Sequence, residues 1–536
     1  MGQTGTKTTG RTTVLLGAGA SRDAGLRLTS ELAAAVVAKA NAEHSPFGDK
    51  PGWVRALNAV YAGMIGYQGA SGQDPLSAVN IETLISAVRL LRSRDKHEVA
   101  PFVAAWSPAL TNFGLGTLPN SYGRTIIKEI SDSRNSRIDF ADRNITEAVA
   151  GIARAALQPD LKQPFAEAEE FILRTLVELL GAHRDVSYLD PLLELAKTQQ
   201  GGLDVITLNY DLTVESAAAN RDVPVNRGID TWNPGEYLQF PSVAGTLNLM
   251  KLHGSLDWRV KPQDSELGDQ LSPRGIDVVD TENLYASPRR SSQDLPWIVV
   301  GDREKLATDG PTLVLNFAAR DALMRTDRVV VVGYSFGDAH INAMLRDWLA
   351  RDPSRTLVIL DVSFPRARHI SARDGFRSAL IETYGFHHDP FRQRHQYQVF
   401  PIEGTAAASL THALSPQADS IPSVLAEVQV VRIEDGARIE VKWLGNPLSS
   451  ARLMIRSSSD ANDPYEQHSI VLSQEPYPAS EVAGKRLTGA LDYDEWPTGL
   501  ARSAYLLGSL GPSISVVVDG HSISGLQEWT THLDVP

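Results

Sequence analysis

The sequence predicts an α/β fold: a Rossmann-like parallel sheet with a large helical insertion, followed by a small all-β sandwich domain. Three observations carry that expectation. A short run of β-branched and leucine residues, Thr12 to Leu16, ends abruptly in the glycine-rich turn Gly17-Ala18-Gly19-Ala20-Ser21. Five further short apolar runs return after residue 200, with an amphipathic helical stretch between the last two. Beyond residue 425 the hydrophobic pattern changes to a two-residue alternation.

Continuous apolar strands suit a parallel sheet covered on both faces. Thr12–Leu16, Leu203–Leu208, Leu247–Leu252, Trp297–Val300, Arg328–Val332 and Thr356–Leu360 are assigned to it. A helix is expected from Thr29 through Ala40, and the pattern stays helical nearly to Gly201. Within it, Ile81–Arg92, Ile145–Leu157 and Phe165–Leu180 carry apolar residues at three- and four-residue spacing, so about 40–200 reads as a helical insertion. Ala339–Ala350 supplies the crossover helix of a strand-helix-strand unit.

The sheet-bearing domain is expected to span 1–400, and 401–424, with Gly404-Thr405, Ser415-Pro416 and Ile421-Pro422, reads as a linker. In 425–536, Val428–Ile433 and Arg438–Trp443 flank Glu434-Asp435-Gly436 as a hairpin. Further strands at Ala451–Arg456, Ser469–Leu472 and Ser513–Val518 complete the expected sandwich. No internal repeat is visible.

A chain of 536 residues that is 42% hydrophobic and 21% charged has ample material for two or three cores. The net charge of −13 and pI near 5.5 exclude a broadly basic surface, so direct nucleic-acid binding is not expected. Arg289-Arg290 with Arg274 is either a local basic patch or a solvated loop. The absence of cysteine removes disulfides, thiolate zinc sites and cysteine nucleophiles. Met1–Thr13 lacks the apolar core of a signal peptide and no run is apolar enough to span a membrane, so a cytoplasmic protein without membrane contact is expected. His387-His388 with His395 matches no ligand spacing, because adjacent residues point apart on a strand, and no metal is expected.

A Gly-x-Gly turn leaving a parallel strand lets the backbone approach a pyrophosphate, and the next helix offers its N-terminal amides to the charge. Gly17 and Gly19 fill those positions, while Arg22 stands where a third glycine would fall. By itself the turn is equally a ligand-free tight turn. Three later motifs lie at or just beyond strand ends, where ligands of open α/β sheets bind. They are Thr207-Leu208-Asn209-Tyr210-Asp211, Lys251-Leu252-His253-Gly254-Ser255 and Gly333-Tyr334-Ser335-Phe336-Gly337-Asp338.

With those residues together the chain resembles the sirtuin superfamily, whose order is Gly-Ala-Gly-x-Ser with a following Ala-Gly, then Thr-x-Asn-x-Asp, His-Gly and Gly-x-Ser. Here Gly17-Ala18-Gly19-Ala20-Ser21 continues to Ala24-Gly25-Leu26, and the later motifs supply Asn209 and Asp211, His253-Gly254, and Gly333 and Ser335. The resemblance covers about 10–380 and leaves the sandwich aside. Three departures matter. Sirtuin deacylases carry a four-cysteine zinc module after His-Gly, and this chain has no cysteine; their Pro-Asp-Phe-Arg is replaced by Arg27-Leu28-Thr29-Ser30, and the Gln before the catalytic Asn by Leu208. The combination is similar to the zinc-free sirtuin-like effectors of bacterial anti-phage systems, which hydrolyse NAD+.

That resemblance implies NAD+ as substrate, Asn209 and His253 as catalytic residues, and Gly17, Ala18, Gly19, Ser21, Asp23, Gly25, Asp211, Gly333 and Ser335 around the dinucleotide. Asp361, at the end of the next strand, is either an acceptor for the adenosine ribose hydroxyls or an ordinary loop residue. Asn209 can hold ribose hydroxyls or water without adding charge, and His253 can take a proton near neutral pH; the alternative for His253 is a buried, hydrogen-bonded histidine. Asp211 serves the cationic ring, braces Asn209 or forms a turn. Ser21 donates to a phosphate or N-caps the next helix, and Asp338 reads as an N-cap. The resemblance also implies a homo-oligomer, and regulation by a partner protein encoded nearby or a phage-derived trigger. The competing activities are a zinc-free deacylase or ADP-ribosyltransferase, and a non-catalytic nucleotide-sensing module.

Overall fold

All five residues of the Thr12–Leu16 run are buried, and they form strand β1 at the centre of the principal sheet. The computed structural model describes residues 10–43, 50–70, 79–93, 163–181, 185–261, 274–280, 295–300, 310–364, 375–385, 398–419, 425–434, 436–458, 471–473, 490–507, 513–522 and 525–534. After β1 come β2 (Leu203–Thr207), β3 (Val225–Asn226), β4 (Leu247–Lys251), β5 (Gly254–Ser255), β6 (Trp258–Val260), β7 (Ile276–Val278), β8 (Trp297–Ile298), β9 (Arg328–Val332), β10 (Thr356–Asp361) and β11 (Val399–Glu403). The helices are α1 (Thr29–Ala42), α2 (Gly52–Ala70), α3 (Ile81–Arg92), α4 (Gln163–Leu180), α5 (Asp190–Thr198), α6 (Thr213–Asn220), α7 (Thr312–Met324), α8 (Ala339–Leu349), α9 (Gly375–Tyr384) and α10 (Ala406–Leu414).

Seven of these strands form one sheet in the order β11-β10-β9-β1-β2-β4-β3, with every pairing parallel. The chain leaves β1 toward β2 on one side and resumes at β9 on the other, so the topological switch point lies between β1 and β9. Alternation along each strand sends residues to opposite faces. Val14, Leu16, Val205, Val330 and Val358 join α1 to α5 and α10 in one core, while Leu15, Ile206, Met250, Val331 and Ile359 join α7, α8 and α9 in the other. The helical insertion is therefore the covering layer of one sheet face. The expected helix Ile145–Leu157 lies outside the described residues, as do Arg289-Arg290, His387-His388, His395 and Ile421-Pro422.

Trp297–Val300 corrects one expectation. Only Trp297 and Ile298 are extended, and they pair antiparallel with β5 instead of joining the parallel sheet, because β4 already has β2 and β3 on its two sides. The segment expected to be a linker contains the end of β11, helix α10 packed on the sheet and a 3-10 turn at Pro416–Asp419. Thr405 caps α10 by accepting from Ala408 N, which is what Gly404-Thr405 encodes there.

The C-terminal part holds β12 (Ala426–Ile433), β13 (Gly436–Trp443), β14 (Leu448–Ser458), β15 (Val471–Ser473), β16 (Ala490–Tyr493), β17 (Ala501–Leu507), β18 (Ser513–Ser522) and β19 (Gly525–Asp534). They form two antiparallel sheets, β12-β13-β17-β15 and β16-β14-β18-β19. Inward residues of both, among them Ile439, Trp443, Leu453, Leu506 and Val516, share one core. Among the described residues no helix is long and apolar enough to cross a membrane.

Lys251 ends β4 with its side chain fully buried, donating to the carbonyl of Asp211 and to Glu215 Oε1 of α6 at 2.8 Å. Burial pushes the Glu215 carboxyl up and Lys251 pulls it back. Removing one member of such a pair strands the other. Lys251→Met is expected to lower the unfolding free energy by about 3–5 kcal/mol, read from urea denaturation, and the double variant with Glu215→Leu to regain more than half of that loss.

Candidate active site

The turns after β1 and β9 meet backbone to backbone. Gly17 N donates to Val332 O and Gly19 N to Gly333 O, both at 2.9 Å. A Cβ at Gly17 would stand 2.6 Å from Gly333 O, and one at Gly333, where φ is +59°, would stand 2.4 Å from Ala20 N. The absence of a Cβ at these glycines is what lets the two turns approach each other this closely. Ala18 is exposed at the tip, and Ala18–Ala24 winds as a 3-10 helix ending at exposed Gly25, with φ +77°. A surface pocket lined by Arg22, Gly25, Leu26, Arg27 and Glu31 lies alongside. The α-helix starts only at Thr29, where Glu31 accepts from Leu28 N at 2.9 Å.

Asn209 follows β2 and faces the first turn. Its Nδ2 donates to Gly17 O at 2.9 Å and to Ser21 Oγ at 3.0 Å, so the carboxamide nitrogen is spent on the protein and Oδ1 is the group left for a ligand. Ser21 is buried, with Thr213 Oγ1 at 3.4 Å; it braces Asn209 and does not cap α1. Asp211 is a turn former here: it accepts from Thr213 N at 3.1 Å and Thr213 Oγ1 at 2.7 Å, just ahead of α6. Asp23 accepts from Ala407 N at 2.6 Å at the start of α10. Asp361 accepts from Val362 N at 2.7 Å and from Arg377 at 2.6 Å, so both its oxygens already have donors. Ser335 is exposed at the end of β9.

His253 is buried, held by two backbone constraints. Val299 N donates to its carbonyl at 3.0 Å. Gly254, at φ +79°, lies where a Cβ would be 2.0 Å from Trp297 O. Carboxylates flank the ring: Glu82 Oε1 is 3.8 Å from Nδ1 and Asp338 Oδ2 is 4.0 Å from Nε2, and the His340 ring centroid is 6.2 Å away. Asp338 occupies the N-cap position of α8, and its carbonyl accepts from Asn342 N, but its side chain caps nothing there and turns toward His253. The loop carrying it holds Phe336 at φ +56°, a conformation rare for a bulky residue, with the ring buried against Tyr334 at 4.8 Å. Burial, with Glu82, Asp211 and Asp338 near, pushes the Tyr210 hydroxyl well above its ordinary range, so the phenol stays neutral.

Glu82, His340 and the carboxylate of Asp338 were missed by sequence reasoning. For the last two the spacing Asp338-x-His340 just after the Gly333 motif was a usable signal; for Glu82, one of several charges on an amphipathic helix, there was none. After His-Gly, where sirtuin deacylases carry their zinc module, this chain has two short antiparallel ladders, β5 with β8 and β6 with β7, and Trp258 of β6 is fully buried. Among the described residues no group of three or more His, Asp or Glu is placed to hold a metal.

Residues 204–388 match the family model of the SIR2-like domain. That span takes in Asn209, Asp211, His253, Gly333, Ser335 and Asp361, and supports the sirtuin-like superfamily with an NAD-related activity in general. SIR2-like domains use NAD+. No curated protein matches the chain. Among solved structures, an engineered protein is 11% identical with a TM-score of 0.12, over 40% of this chain and 49% of its own. A Cellulomonas fimi endo-beta-1,4-mannanase double mutant is 12% identical with a TM-score of 0.10, over 40% and 50%. The chain spans about half the length of these structures.

Gly254→Ala is expected to lower the unfolding free energy by about 2 kcal/mol more than Gly235→Ala in the same urea titration. Both glycines have positive φ, but a Cβ at Gly235 meets open space, so the difference isolates the clash that fixes His253.

Proposed function

We propose that the chain hydrolyses NAD+ to nicotinamide and ADP-ribose. The observation that carries this reading is the Asn209 carboxamide locked onto Gly17 and Ser21 at the β1–β2 end of the sheet, within the same matched SIR2-like architecture that supplies His253. NAD+ lies across the C-terminal ends of β1, β2, β4 and β9, with Ala18, Gly19, Gly25 and Ser335 at its phosphates and riboses.

Water attacks C1′ of the nicotinamide ribose, the C1′–N bond breaks, and nicotinamide leaves as a neutral base with the bond's electron pair. No acid is needed for that leaving group; the demand falls on the ribosyl cation that develops. Asn209 Oδ1 accepts from the ribose hydroxyls or the water, and His253 takes the water's proton. The carboxylates of Glu82 and Asp338, 3.8 and 4.0 Å from the two ring nitrogens, then stabilise the imidazolium through their charge.

Such an activity drains a cell unless restrained, which favours a regulated anti-phage effector in the cytoplasm, acting as a homo-oligomer and released by a partner protein or phage product. In this reading the sheet-bearing body carries catalysis, and the sandwich, 425–536, is the accessory domain.

The test is nicotinamide release from NAD+ by the full chain, alone and with an acyl-lysine peptide. Asn209→Ala and His253→Ala are each expected to lower kcat by roughly 100-fold or more. Release that requires the peptide would replace hydrolysis with acyl transfer, and wild-type turnover in both variants would remove these residues from the mechanism.

A further inference from the structure

We infer that Glu82, carried by the helical insertion, is the positioning residue for His253, so that the insertion is part of the active site as well as a cover for the sheet. The inference rests on the hydrolase reading above. The two ring nitrogens lie on opposite edges of the imidazole, and each faces a different carboxylate: Nε2 faces Asp338 from the β9 loop, Nδ1 faces Glu82 from α3. Asp338 comes with the matched SIR2-like span; Glu82 lies outside it.

Glu82 does not reach His253 by the swing of an isolated surface side chain. Asn80 caps α3 by accepting from Thr83 N at 2.8 Å, which places Glu82 in the first turn. Ile81, Leu84, Ile85, Val88 and Leu91 are buried on one side of the helix. Arg89 then ties α3 to the insertion and to the site at once, donating to Glu169 of α4 at 2.7 Å and to the carbonyl of Ile298 at 3.2 Å. Ile298 immediately precedes Val299, whose amide holds the His253 carbonyl. The helix that delivers the carboxylate is thus docked on the same short segment that fixes the histidine backbone.

A carboxylate 3.8 Å from Nδ1 favours the charged ring, and so stabilises the imidazolium once the water's proton has been taken. Glutamine at this position keeps the size and the polar amide but loses the charge.

The experiment compares the full-length wild type with E82Q, E82D, N209A and H253A, measuring kcat and KM for nicotinamide release from NAD+ and the thermal midpoint of each. Expected is a fall in kcat of roughly 100-fold in E82Q with KM within about 2-fold and an unmoved midpoint, and partial recovery of kcat in E82D. Wild-type kcat in E82Q alongside inactive N209A and H253A would overturn the role of Glu82 and leave the hydrolase reading standing. A loss in E82Q that follows the folded fraction and is not recovered by E82D would overturn it equally. A wild type releasing no more nicotinamide than N209A and H253A would overturn the hydrolase reading, and this role with it.

Discussion

The contact between the Gly17–Gly19 turn and Gly333 governs the rest of the molecule. At the switch point of a parallel sheet the two turns diverge, and a ligand crevice normally opens between them. Here they close to hydrogen-bonding distance, and no Cβ fits at Gly17, Gly19 or Gly333. With the turns locked, Gly17 O becomes a fixed acceptor for Asn209, and the β9 loop starts from a fixed point before it bends through Phe336 to bring Asp338 over to His253. The orientation of the candidate catalytic groups follows from a backbone contact that contains no functional side chain.

The second constraint is the cost of burying charge. Glu82, Asp338 and His253 sit close together in a region where Tyr210 is held neutral, and Lys251 with Glu215 forms a buried ion pair on the neighbouring strand end. Each such group costs several kcal/mol to desolvate and gains little beyond break-even from its partner. The large apolar cores on both sheet faces, to one of which the insertion contributes, are what offset that cost.

Local pattern identified the central strands well because each is short, continuous and apolar on both faces, a composition with few other structures open to it. It failed where an element depends on what is beside it. Trp297–Val300 has the composition of a sheet strand, yet the position it would need is occupied by β3, two residues of weak pattern that pair with β4. Val399–Glu403 and Ala406–Leu414 sit in a stretch of Gly, Thr, Ala and Pro that resembles a linker, and they are ordered by packing on the sheet.

The sequence by itself determined the α/β class, the helical character of the insertion, the alternating C-terminal strands and the strand ends at which Asn209, His253 and Gly333 stand, because all of these follow from periodicity and from short contiguous motifs. Tertiary structure alone decided which partners those residues have. Ser21 turned inward to brace Asn209, Asp211 closed a turn on Thr213, Asp338 turned away from its helix, and Glu82 arrived from a helix more than a hundred residues away in the chain. Side-chain partners at a site are set by where separate elements pack in space, and hydrophobic period carries no record of that.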